Sequence, residues 1–199
     1  MTMLKKLGSA MLVLLAFAGL ASAQKWQALK HPATFQVGAL AMLSDGTVLL
    51  HEEQDSSPQK WYKLTPDDTG SYLNGTIKPI ASTSSAYGPL YFGSVVLPDG
   101  RYIIEGGEYN NNCPNGCWTN LGAIYDPVKN KWTSVNPPAG WSTIGDAQSV
   151  ILPTTAGTYM QANCCSTQMA LFNPKTLKWT ATGGGKADWN DEEGWTLLP

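Results

Sequence analysis

Short apolar runs separated by turn residues recur along the chain, and they recur in register. Three segments align on a turn and the run that follows it: "LSDGTVLLHEE" from Leu43, "LPDGRYIIEGGE" from Leu97 and "LPTTAGTYMQANCC" from Leu152. A fourth copy opens with "WTLLP", so the aligned leucines stand at 43, 97, 152 and 198, or 54, 55 and 46 residues apart. Asp-Gly between apolar runs marks a hairpin, because glycine accepts the positive φ such turns need.

A second element repeats further along each copy. "AIYDPVKNKW" (Ala123 to Trp132) matches "ALFNPKTLKW" (Ala170 to Trp179) position by position, and "YKLTPDDTGSY" (Tyr62 to Tyr72) is a looser copy with Tyr at the Trp place. Pro127 and Pro174 follow Asp or Asn, the chemistry of a turn between two strands. Each unit therefore predicts four strands: before the Asp-Gly turn, after it, before the proline turn, and at the tryptophan. The mature chain shows no amphipathic helical pattern. Trp26 reads as the last strand of a further, incomplete unit.

A period near 50 with four strands per unit predicts an all-β propeller of four-stranded blades. The pattern resembles the kelch family, including the galactose-oxidase-like propellers. The resemblance rests on Gly106-Gly107 closing the second strand, Tyr125 in the third and Trp132 in the fourth. The next copy keeps Phe172 and Trp179 but carries Asn163-Cys164 in place of the two glycines, and the first copy has Glu52-Glu53 there. The expected architecture is a truncated kelch-type β-propeller, two blades plus parts of two more, over residues 24–199.

Residues 1–23 read as an export signal: Lys5 and Lys6, the apolar "MLVLLAFAGL", then "ASA" before Gln24. The apolar run is too short to span a bilayer comfortably. These features predict a secreted or periplasmic protein with no membrane span after cleavage. Loss of the two lysines takes the formal charge from −2 to −4. No basic patch is present to neutralise phosphates, which argues against a nucleic-acid partner.

Export also favours disulfides over free thiols. The four cysteines are Cys113 and Cys117, in a turn-rich loop, and the adjacent pair Cys164 and Cys165. A direct bond between neighbours is disfavoured, since adjacent Cα atoms lie about 3.8 Å apart. Cys113 and Cys117 could close a small loop, or both could cross to the next blade; the reading leans to some cross-blade bonding. Zinc would need four thiolates, and neither spacing is ordinary for it. No metal and no cofactor is expected.

The ligand chemistry points to strand starts near the axis. Six residues before each aligned leucine stand Val37, Tyr91, Asp146 and Glu192, and "DWNDEEGW" adds Asp188, Asp191, Glu193 and Trp195. Carboxylates accept hydrogen bonds from sugar hydroxyls, and flat rings cover apolar sugar faces. These seven residues, Val37 excepted, are the candidate ligand site; no catalytic residue is assigned. The balance favours a binding or scaffold module for carbohydrate or protein over an enzyme. The alternative is a carbohydrate-active enzyme, galactose-oxidase-like or a glycosidase. Galactose-oxidase-like chemistry implies copper held by tyrosine and histidine, with a cysteine joined to a tyrosine; the chain has only His31 and His51. His51, Glu52 and Glu53 are consecutive strand residues, so their side chains point to alternating faces. "TPDDTGSY" falls one position short of a sialidase aspartate box.

Overall fold

The computed structural model describes residues 25–53, 59–111, 117–154, 158–182 and 186–198. The first 24 residues, and with them the export signal, lie outside this range. The described residues contain strands and turns and no helix. The first sheet is β1 (Val37–Met42), β2 (Val48–Glu52), β3 (Trp61–Thr65) and β4 (Thr76–Pro79), antiparallel in chain order. A two-stranded ribbon pairs β5 (Pro89–Leu90) with β8 (Tyr109–Asn110). The second sheet orders β6 (Gly93–Val96), β7 (Tyr102–Glu105), β9 (Gly122–Asp126) and β10 (Lys131–Val135). The third orders β11 (Ser149–Ile151), β12 (Tyr159–Ala162), β13 (Met169–Asn173) and β14 (Lys178–Ala181).

These are propeller blades. β6 touches β1 on one side and β11 on the other, so the first strands of successive sheets stand side by side, as around an axis. The all-β class and the four-stranded unit are as expected. The described residues hold three complete blades, one more than the repeat count suggested. Trp26 belongs to no strand and is fully exposed. In the first blade Ile77, not Tyr72, occupies the tryptophan position, because β4 begins only at Thr76; Tyr72 instead donates to the Gly46 carbonyl at 2.6 Å.

The repeated turns have one geometry. Leu43 N donates to Thr47 O at 2.8 Å and Leu97 N to Arg101 O at 2.7 Å, with Gly46 and Gly100 at φ 80° and 85°. Asp45 and Asp99 each accept from the backbone two residues on, the side-chain closure that makes Asp a turn residue. Asp67 in "TPDDTGSY" accepts from the backbone of Thr69 and Ser71, so that turn is satisfied internally.

The core lies between the sheets. Leu49, Trp61, Tyr102, Ile104 and Tyr125 fill the space between blades one and two. Leu97, Ile103, Ile124, Tyr159 and Phe172 fill the space between two and three. Two tryptophans tie neighbouring blades: Trp132 Nε1 donates to Ala81 O at 2.9 Å, and Trp179 Nε1 to Asn136 O at 2.7 Å. Each acceptor lies just past the last strand of the preceding blade. Tryptophan suits this place because it packs a large apolar face while its one donor reaches a carbonyl.

Candidate functional site

The blade ends near the axis surround a cavity of about 460 Å³ lined by Tyr91, Phe92, Glu108, Asp146, Glu192 and Glu193. The β5–β8 ribbon places Tyr91 at its mouth, in a left-handed conformation at φ 51° and more than half exposed. The backbone conformation costs energy for a residue with a Cβ. It turns the ring toward Tyr109, 5.9 Å away edge to face. The Glu53 carboxylate holds the Tyr91 phenol above its ordinary value by hydrogen bonding, and Glu108 does the same to Tyr109.

Asp146 follows Gly145, whose φ of 68° turns the chain into blade three. Its Oδ1 is buried with no hydrogen-bond partner among the described residues. Glu193 accepts from Gln148 Nε2 at 2.8 Å and pairs with Lys186. Four carboxylates and two aromatic rings thus face one hollow, and no lysine or arginine lines it. Such a lining accepts hydrogen bonds from hydroxyl groups and repels anions.

Of the seven candidate residues, Tyr91, Asp146, Glu192 and Glu193 line this cavity. Three of the four lie at the position six residues before an aligned leucine; Val37, the fourth, sits in β1 and lines no part of it. Asp188 is drawn outward by Lys186, 3.1 Å away. Trp195 packs with the Ala147, Ala162 and Cys164 cluster and lines a separate, apolar hollow with Val150, Leu152 and Met160. Asp191 lies beside the adjacent cysteines, its Oδ1 3.8 Å from Cys164 Sγ. Sequence reasoning missed Phe92 and Glu108. Glu108 aligns with Cys165, which was a usable signal.

Cys164 and Cys165 are free thiols in this structure, and no cross-blade bond joins them among the described residues. Cys113 lies outside the described residues, so pairing of the loop cysteines, Cys117 included, stays an expectation. His51 is buried and packed against the rings of Trp61 and Phe92, at 4.7 and 5.3 Å between centroids. His31 is exposed.

No family model matches the sequence. No curated protein matches it either. Solved structures do match by fold. YjhT aligns over 80% of this chain and 53% of its own, at 15% identity and a TM-score of 0.55. A fungal alcohol oxidase of the AA5 family, solved in complex with copper, aligns over 80% of this chain and 32% of its own, at 18% identity and a TM-score of 0.55. The chain spans about half and about a third of these two proteins. The shared feature is the propeller-type β fold, which hosts many functions.

A copper site of tyrosines and histidines does not fit what this chain presents. Among the described residues, the one group of His, Cys, Asp or Glu whose ligand atoms come within 4.8 Å of one another is Cys164, Cys165 and Asp191.

Proposed function

We propose that the chain is an exported recognition module whose axial cavity binds a neutral carbohydrate. One observation carries the reading: Tyr91, Phe92, Glu108, Asp146, Glu192 and Glu193 converge on one hollow of about 460 Å³. Ring faces beside carboxylates match the two surfaces of a sugar, its apolar face and its hydroxyl rim. The buried, unpartnered Asp146 Oδ1 is an acceptor waiting for a donor, and a ligand hydroxyl meets that need. The hydrolytic reading has less support: Glu105, the carboxyl that burial raises far above its ordinary value, does not line the cavity. Export rests on the signal-like residues 1–23.

The test is titration calorimetry of the full mature chain against a panel of neutral oligosaccharides. Tyr91→Ala and Asp146→Asn should each weaken binding about tenfold, the equivalent of about 1.4 kcal/mol. Binding that neither substitution changes, or a panel with no binder at all, would overturn the reading.

A further inference from the structure

Beside that cavity, the end of β12 builds a second site that the carbohydrate reading does not use. Along a strand, neighbouring side chains point to opposite faces. Cys165 breaks the alternation by adopting φ 58°, and both sulfurs come to one side, 2.9 Å apart. The arrangement is held from outside the turn. Cys164 N donates to Ile144 O and Cys165 N to Asn190 O, both at 2.8 Å.

Asn190 is the clamp. It is fully buried. Its side-chain amide donates to Ser166 O at 2.8 Å and Gln168 O at 3.1 Å, and its Oδ1 accepts from Gln148 at 3.0 Å. With Asn190 fixed, the next residue, Asp191, is delivered to the thiols. Burial pushes the Cys164 thiol up, with help from Cys165 and Asp146. The Asp146 carboxylate thus lies within interaction range of the Cys164 thiol.

We propose that Cys164, Cys165 and Asp191 form a binding site for a thiophilic divalent cation of the zinc class, with Asp146 supplying further negative charge. Two sulfurs and a carboxylate oxygen within 4.8 Å of one another are the donor types a borderline cation selects. Thiolates about 2.3 Å from a tetrahedral ion stand about 3.8 Å apart, so the sulfurs must open. Cys165 is partly exposed, and it is the sulfur that would move. Each thiol gives its proton to solvent as the cation enters, so two protons leave for two positive charges gained. The competing fate of the pair is a disulfide between neighbours, which would take two electrons from the thiols and remove both ligands.

The experiment is titration of the full mature chain, kept reduced with a phosphine, with Co²⁺ alone. Near-ultraviolet absorption reads thiolate-to-cobalt charge transfer, and Zn²⁺ is then added in competition. The expected result is saturation near one equivalent, with loss of the band on adding zinc. Cys165→Ser should abolish the band while the far-ultraviolet circular dichroism stays unchanged. Asp191→Asn, at an exposed position, should weaken cobalt binding about tenfold or more, and Cys117→Ser should leave the band intact. No band in the reduced chain, or a band that survives Cys165→Ser, would overturn the proposal. Unchanged affinity in Asp191→Asn would remove the carboxylate from the site. None of these readouts involves sugar, so this proposal and the carbohydrate reading fail separately.

Discussion

The second-strand ends of blades two and three begin alike and finish differently. Tyr102 and Tyr159 hold the same register, each paired to an aromatic residue on the third strand. In both blades the backbone just past the strand closes on the third-strand side, Gly106 N on Leu121 O and Asn163 N on Gln168 O. Blade two then runs Glu105-Gly106-Gly107-Glu108, and blade three runs Ala162-Asn163-Cys164-Cys165. Gly106 is pressed by the segment entering the next blade, and Gly107 by Pro89 of the β5–β8 ribbon. A Cβ on Gly106, at φ 75°, would lie 2.5 Å from Gly145 O and 2.6 Å from the Ile144 side chain. In blade three Asn163 is buried as well, and Cys165 N donates to Asn190 O at 2.8 Å, yet these positions carry side chains with chemistry.

The sharpest way to break this comparison is Gly106→Val. A branched side chain in a left-handed conformation and against a carbonyl should cost about 4 kcal/mol or more, read by chemical denaturation. A loss under about 1 kcal/mol would mean that the blades do not press on each other at this point.

Glu105 gives the second test. It is fully buried, and neither carboxylate oxygen has a hydrogen-bond partner among the described residues. Burial holds its carboxyl protonated, far above the ordinary value. The unfolded chain loses this proton above about pH 4.3 while the fold retains it, so the folded state binds more protons. The stability contribution is therefore complete below that pH and is lost as pH rises, by about 1.4 kcal/mol per unit until the folded value is reached. Thermal melts of Glu105→Gln and the parent should differ least near pH 4, with the variant gaining as pH rises above it. Parallel pH profiles would show that the carboxyl is hydrated or paired.

The smallest effect is opposite in sign to that of Gly106→Val. Cys165→Gly relieves a left-handed cysteine and should stabilise the chain by up to about 1 kcal/mol, again by denaturation. A clear loss would show that the thiol pair packs more than it strains.

The blades were legible because each boundary has a local cause: Asp45 and Asp99 close their own turns, and Trp132 and Trp179 need one face and one carbonyl. The first blade was misread at its end because "TIKP" is too short and too polar to show a period, while Tyr72 imitates the missing tryptophan. The site was half legible. Counting back from the aligned leucines found Tyr91, Asp146 and Glu192, since blade register carries them to the same height. Asp188 is drawn off by Lys186 two residues before it, while Asp191 and Trp195 are placed by long-range contacts, of Asn190 with Gln148, Ser166 and Gln168 and of Trp195 with Ala147 and Ala162, which no local pattern encodes. The left-handed turn at Cys165 has no sequence signature either; a cysteine there looks like any strand residue.

The tryptophan ties also bear on how the chain would yield under force. Blades two and three each add, to the apolar packing against their predecessor, one indole donated to a carbonyl just beyond the predecessor's last strand. Pulled by its two ends, the array would come apart as a zip with a few teeth, each tooth one indole letting go. Extension would then proceed in separate blade-length steps rather than as one collapse.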